Sequence, residues 1–199
     1  MADPPSAKPL PLPVESLTAD TVRQAEHAFA VFGLPLRFEL DLADLDRRFA
    51  ALGRATHPDL AGDDPAAQLD AMDLSAKVNE AYRVLRDDEE RANLLLTLLG
   101  GPSREADKTL PEGFLPLIMI TREELAEAQL DGDADKVAAI EADARAQRAA
   151  RLREVARLFA LASPPDPKTL RQIRIELNAL RYFERLLEQA RPGHDAMAL

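Results

Sequence analysis

Residues 41–86 predict two helices joined by a tight loop, in the sequence DLADLDRRFAALGRATHPDLAGDDPAAQLDAMDLSAKVNEAYRVLR. Asp41 is a favoured N-cap residue for the first helix. Leu40 and Leu45 have the spacing of a hydrophobic staple, which fixes how the chain enters that helix. Asp64 and the proline after it indicate where the second helix begins, and we expect that helix to reach about residue 86.

Each of these helices carries an apolar stripe at helical spacing. The stripe of the first helix contains Leu42, Leu45, Phe49 and Leu52, and that of the second contains Ala71, Leu74, Val78, Tyr82 and Leu85. Because the connection is short, we expect the two helices to pack antiparallel as a hairpin. A different face of the first helix carries Arg47, Ala51 and Arg54, flanked by Arg48. One side of that helix is therefore expected to pack, and the other to be basic.

The loop between the helices contains the tripeptide His57-Pro58-Asp59. Taken alone, His-Pro-Asp is most often an ordinary turn, because short motifs match frequently by chance. His57 is also a poor candidate for a catalytic base, since the chain has no cysteine and no serine arrangement that would supply a nucleophile. The helices on both sides, one of them with an arginine face, favour a functional loop over a plain turn.

The chain before this hairpin divides into an arm and a short helical region. Residues 1–19 contain five prolines, which remove backbone donors and disfavour a helix, so they predict a disordered arm. From Asp20 a helix is expected to run through Phe32 and to end at Gly33. These two features place the start of the first domain at residue 20.

The chain after the hairpin predicts a second helical domain. A helix over residues 88–99 should end at Gly100-Gly101-Pro102, and we place the end of the first domain at residue 100. Residues 101–109 then form a linker. Three striped segments at about 111–130, 134–162 and 167–190 are separated by short breaks, which predicts an antiparallel three-helix bundle over residues 110–190 and a tail over 191–199. The fold class is therefore all-α.

Composition argues against several kinds of function. The net charge of −10 opposes nucleic-acid binding, which needs a basic face. The absence of cysteine excludes a disulfide framework, a thiolate metal site and direct ligation of an iron-sulfur cluster by sulfur. We therefore expect no metal and no cofactor.

The sequence also argues against a membrane partner and against an enzyme. The longest apolar run, residues 114–120, contains a proline and is too short to cross a bilayer. The chain has no Gly-rich phosphate loop, no metal-ligand spacing and no acid and base pair of the kind that enzymes use. The start of the chain lacks the features of a secretion or transit signal, so we expect a bacterial cytoplasmic protein.

The tripeptide at residues 57–59 and the sequence NEAYRVL at residues 79–85 together resemble the J domain of co-chaperones. Outside this domain, FGLP at residues 32–35, Phe38 and Leu40-Asp41 resemble the opening of the HscB-type family. The C-terminal domain carries LP at 110–111, FL at 114–115 and REEL at 122–125, and its last helix carries RYFERL at 181–186. These motifs resemble the C-terminal bundle of the same family, so the resemblance spans about residues 28 to 190.

This resemblance implies a non-enzymatic co-chaperone with two protein partners. A J domain stimulates the ATPase of a heat-shock chaperone, here of the HscA/DnaK type, and it binds through the tripeptide and the basic face. Carried over to this chain, those residues are His57, Pro58, Asp59, Arg47, Arg48 and Arg54. In the HscB-type family the C-terminal bundle binds the iron-sulfur cluster scaffold protein, of the IscU type, and the pair supports maturation of iron-sulfur proteins.

The first bundle helix predicts where the scaffold would bind. Six of the seven residues from 114 to 120 are apolar, which is more than one buried stripe requires. We expect Phe114, Ile118, Thr121 and Leu125 to face the core. The second face and the family together give the scaffold-binding residues Leu115, Pro116, Met119, Ile120, Glu123, Glu127 and Tyr182. Tyr182 should face outward, because it lies roughly opposite Leu180 of the inner stripe.

Three alternatives stay open at this point. The second face could pack on the J domain rather than bind a partner. Pro116 stands where the family usually has a long apolar residue, and Ile120 stands where a glutamate is common, so the scaffold contacts of this chain could differ from those of the family. A second alternative is a J-domain adaptor for a different client. A third possibility is a purely structural helical protein whose tripeptide stimulates nothing, which an ATPase assay would reveal.

Overall fold

The protein is all-helical over the residues that its structure, a computed structural model, describes: 10–161 and 165–191, without the Ala61 side chain. Its α-helices are α1 Ala19–Gln24, α2 Ala28–Val31, α3 Leu42–Ala55, α4 Pro65–Arg86, α5 Asp88–Leu98, α6 Phe114–Asp131, α7 Ala134–Leu161 and α8 Pro167–Ala190. Short 3-10 turns occur at Val14–Ser16 and Pro58–Ala61. No strand occurs among the described residues, and the predicted all-α class is confirmed.

The chain divides into two compact units, the first ending at Arg91 and the second beginning at Ala92. The division falls within α5, whereas the sequence placed the end of the first domain at residue 100. The predicted domain limits remain predictions. Residues 1–9 of the predicted arm and 192–199 of the predicted tail lie outside the described residues.

In the first unit, α3 and α4 form the antiparallel hairpin. Tyr82, near the end of α4, donates a hydrogen bond of 2.7 Å to Asp46 near the start of α3. The ring of Tyr82 also stacks on Phe49, with 4.1 Å between ring centroids. Leu45 and Leu52 are fully buried, as the stripe predicts, but Leu42 is exposed because it lies in the first turn, where α3 enters from solvent.

The N-terminal part of this unit differs from the prediction in two ways. The single helix expected from residue 20 to 32 is broken: Thr18 caps α1 with a capping box, and the His27 Nδ1 atom accepts a hydrogen bond from the Ala30 N–H to start α2. The arm predicted to be disordered over residues 1–19 is ordered from residue 10. The Leu12 N–H donates to the Gly33 carbonyl at 2.8 Å, which fixes this segment against the loop after α2.

In the second unit, α6, α7 and α8 contact one another in pairs around one core. That core contains Phe114, Ile118, Leu125, Ala144, Ala179, Phe183, Leu186 and Ala190. The Asp166 carboxylate caps α8 by accepting hydrogen bonds from the N–H groups of Lys168 and Thr169. Of the residues predicted for the inner face of α6, only Thr121 is not buried, because its hydroxyl bonds back to the Leu117 carbonyl at the edge of the helix.

Residues 102–109, predicted as part of a linker, are bound along α8. Buried Arg174 donates from Nε to the Pro102 carbonyl at 3.0 Å. Arg171 pairs with Asp107 at 2.8 Å, and the Asn178 amide donates to the carbonyls of Asp107 and Thr109 at 2.9 Å each. This segment is therefore a fixed part of the second unit rather than a free connection.

Candidate functional site

The tripeptide lies at the tip of the α3–α4 hairpin and is exposed. His57 caps the 3-10 turn at Pro58–Ala61, and its Nδ1 atom accepts a hydrogen bond of 3.2 Å from the Asp59 N–H. This bond requires an unprotonated Nδ1, so a neutral imidazole carries its proton on Nε2. The side chains of His57 and Asp59 are 56% and 87% exposed, and Pro58 is half-buried. The tip therefore presents polar groups to solvent while contributing little to the core.

Two of the predicted arginines lie exposed on α3. Arg47 donates to Asp44 at 2.9 Å, which neutralises part of its charge. Arg54 makes no ion pair or hydrogen bond within the part of the chain that the structure describes. A guanidinium without an internal partner can make forked bonds to a carboxylate of another protein. Arg54 is thus the more available cation of the two.

Arg48 does not lie on the exposed basic face predicted for it. It is 3% exposed, and its guanidinium donates to Asp44 at 2.6 Å, to the Leu12 carbonyl at 2.8 Å and to the Phe32 carbonyl at 3.0 Å. Partial burial opposes ionisation of Asp44, but the bonds from Arg48 and Arg47 outweigh it and hold the Asp44 pKa below its ordinary value. Arg48 therefore links α3 to the N-terminal segment and is not available to a partner.

The outer face of α6 is an exposed apolar surface, here called the α6 patch: Leu115, Pro116, Met119, Ile120, Glu123 and Glu127. Its three long apolar side chains are each about half exposed, and the two glutamates follow them along the helix. Leu117, which sequence reasoning missed, is equally exposed. Its position, about 60° around the helix from Phe114 and about 100° from Ile118, could have identified it as a flanking residue.

Tyr182 does not face fully outward as predicted. It is half-buried, and its ring meets the Phe114 ring edge to face, with 5.6 Å between centroids. Phe114 is the first residue of α6, so Tyr182 lies beside the beginning of the α6 patch. The structure thus brings Tyr182 close to the helix that carries the other predicted scaffold contacts, but its ring also supports the core.

Two further observations limit the chemistry of the described residues. Over residues 10–161 and 165–191, no group of three or more histidine, aspartate or glutamate side chains is arranged to hold a metal ion. Within the same ranges, no helix has the length and apolar character needed to cross a membrane.

Comparison with known proteins identifies the family of this chain. The family model for the HSCB C-terminal oligomerisation domain matches residues 110–191. The chain is also 32% identical over 162 residues to the co-chaperone protein HscB homolog of Pasteurella multocida, a match that covers 80% of this chain and 91% of that relative. The chain belongs to the HscB co-chaperone family.

Other members of the HscB family agree in sequence and in fold. The homolog from Chromobacterium violaceum is 39% identical over 108 residues, which cover 53% of this chain and 62% of that relative. The structure of chaperone HscB from Vibrio cholerae matches with a TM-score of 0.65 and 28% identity, over 82% of this chain and 94% of that one. The predicted resemblance is confirmed, and with it a fold in which a J domain precedes a helical C-terminal domain.

Proposed function

We propose that this protein is a non-enzymatic, cytoplasmic adaptor that stimulates the ATPase of an HscA/DnaK-type chaperone and delivers an IscU-type iron-sulfur scaffold protein to it. One observation carries the proposal: a chain of the HscB family exposes a polar loop tip in one compact unit and an apolar surface in the other. Two surfaces in separate units can engage two partners at once.

The chaperone would dock on the first unit, through His57, Pro58 and Asp59 with Arg47 and Arg54 beside them. His57 and Asp59 are mostly exposed and belong to no apolar cluster, so their exposure is better explained by a partner than by stability. Arginines on α3 match an acidic surface of the chaperone through charge-assisted hydrogen bonds.

The scaffold would dock on the α6 patch, with Tyr182 at its edge. Three long apolar side chains of the patch, exposed within six residues, form the kind of continuous surface that soluble proteins reserve for partners. Methionine at position 119 tolerates irregular contacts because its side chain is flexible. Glu123 and Glu127 would then form a polar rim that favours a basic region of the scaffold.

The chaperone half is tested with His57→Gln in the full-length chain. We expect stimulation of the purified chaperone's ATPase to be lost while the melting temperature stays the same, because the exposed side chain makes a single local hydrogen bond. Asp63→Asn, an exposed change in the same loop, is the matched control and should stimulate normally. If the His57 variant stimulated at the wild-type rate, the J-domain part of the proposal would be wrong.

The scaffold half is tested with the double variant Leu115→Ala and Met119→Ala. Truncation of interface anchors costs about 2 kcal/mol or more each, so the affinity for purified scaffold should fall by ~100-fold or more in calorimetry. Leu130→Ala with Leu161→Ala removes comparable apolar surface from exposed positions of the same unit and should bind normally. Equal binding by both double variants would contradict the assignment.

A J-domain adaptor for a different client is the second candidate, and one observation favours it. Ile120 is about half exposed where a glutamate is common in the family, so the α6 patch is more apolar and less acidic than expected for an IscU-type partner. A pulldown from cell extract separates the two candidates. Recovery of another client without the scaffold protein would favour this second function.

A further inference from the structure

A cavity of about 170 Å³ lies between residues 104–110 and α8 in the second unit. The segment contributes Arg104, Lys108 and Leu110, and α8 contributes Arg181, Tyr182 and Arg185. No carboxylate lines the cavity among the described residues. Four cations around an apolar floor form a site for an anionic group, here called the basic pocket.

Three of the four cations of the basic pocket differ from their neighbours in having no partner among the residues that the structure describes. Lys108, Arg181 and Arg185 make no ion pair or hydrogen bond to any residue that the structure describes. Other arginines of the same unit are paired, among them Arg148 with Glu184 and Arg151 with Glu176. In a chain with 35 acidic and 25 basic residues, internal partners for these three cations would be expected. Their clustering without a partner therefore indicates an external one.

The wall of the basic pocket is held in place before any ligand binds. Residues 102–109 are fixed on α8 by the Arg174 bond to the Pro102 carbonyl and by the two bonds from Asn178. The Arg171 and Asp107 pair, at 2.8 Å, adds a third attachment. A ligand would not have to order this segment, so less of its binding energy is lost to immobilisation.

The basic pocket borders the α6 patch. Tyr182 forms part of its wall and contacts Phe114, and Leu110, also in the wall, lies just before α6. Glu127 lies about 18 Å further along the helix from Leu115, at 1.5 Å per residue. The surface thus runs from a cationic pocket across apolar side chains to an acidic rim, and such a polarity orients a partner.

We infer that the basic pocket accepts an acidic side chain of the scaffold protein while the scaffold's apolar residues cover the α6 patch. This inference rests on the function proposed above and adds a second contact to it. The carboxylate would make charge-assisted hydrogen bonds with Arg181 and Arg185, and Tyr182 would separate it from the apolar contacts. The acidic charge of the rest of the chain would disfavour the reverse orientation.

The test uses the full-length chain with both Arg181→Ala and Arg185→Ala, here called the pocket variant, and compares it with a matched double variant. Arg145→Ala with Arg153→Ala removes the same charge from exposed positions of α7. We expect the pocket variant to raise the Kd for purified scaffold by ~10-fold and to reduce its salt dependence, with the control pair near wild type. Because Arg181 and Arg185 bond to none of the described residues, melting temperatures should be unchanged.

The outcomes separate this inference from the proposed function. If the double variant of Leu115 and Met119 binds scaffold weakly but the pocket variant binds as tightly as wild type, the pocket inference is overturned and the α6 patch stands. Weakening equal to that of the α7 control would overturn it too, since only net charge would matter. The last experiment is a calorimetric titration with inorganic phosphate. If the pocket variant loses phosphate binding but keeps its affinity for the scaffold, the pocket binds a free anion and the inference is wrong.

Discussion

Replacing Arg48 should unfold the first unit far more readily than replacing its neighbour Arg47. The buried guanidinium makes three hydrogen bonds, two of them to backbone carbonyls of Leu12 and Phe32. Bonds that involve a charged group contribute about 1.5–3 kcal/mol each, and they are not fully additive. Asp44 keeps its bond to Arg47, but the two carbonyls lose their side-chain donor, and a polar group left buried without a partner costs about 1–3 kcal/mol. Arg48→Ala should therefore cost about 3–5 kcal/mol.

The measurement is urea and thermal unfolding followed by circular dichroism, with NMR signals of the first unit used to assign the transition. For a unit of this size, that loss lowers the melting temperature by more than about 10 °C. Arg48→Met keeps most of the apolar stem and isolates the hydrogen bonds from packing. Arg47→Ala, an exposed change, should stay within about 0.5 kcal/mol of wild type. An Arg48→Ala variant within about 1 kcal/mol of wild type would refute the structural role.

Two further predictions concern charge. Arg54→Glu should lower the affinity for the chaperone by ~10-fold, a larger effect than that of Arg47→Glu, because Asp44 already neutralises part of the Arg47 charge. Equal effects of the two variants in a binding titration would contradict this prediction. Hydrogen bonds from Thr109 and then Arg171 lower the Asp107 pKa from 3.8 to about 2, so the carboxylate stabilises the folded state above about pH 4, and this contribution is lost as the pH falls toward 2. The protection of the backbone amides of residues 102–109 against hydrogen exchange should fall over that pH range. Asp107→Asn should remove this pH dependence of the protection.

The sequence predicted best those features that depend on neighbours along the chain. Asp41 and Asp64 are the N-caps of α3 and α4, as predicted, because an N-cap needs only a side-chain oxygen and the next turn of backbone. Pro167 begins α8 for a similar local reason. Gly132 ends α6 with a left-handed conformation that glycine adopts without strain.

Features that depend on distant residues could not be predicted in this way. In sequence, Arg48 cannot be distinguished from an exposed arginine of α3. It is buried because the carbonyls of Leu12 and Phe32 approach its guanidinium and accept hydrogen bonds from it. Tyr182 lies opposite the inner stripe of α8, yet the start of α6 covers it. The attachment of residues 102–109 depends on the polar side chains Arg171, Arg174 and Asn178. The spacing of apolar residues along α8 carries no information about such contacts.

The same reasoning explains why charge is informative in this chain only after the structure separates paired from unpaired groups. Arg47 and Arg48 are adjacent and share Asp44, yet one is exposed and the other holds the first unit together. A cation already bound to an internal carboxylate must exchange that bond for a new one, and the net gain is small. Arg54 and Arg181 have no bond to give up within residues 10–161 and 165–191 when a partner's carboxylate arrives. In a protein of net charge −10, which repels acidic partners at long range, such unpaired cations give an acidic partner a defined place to bind.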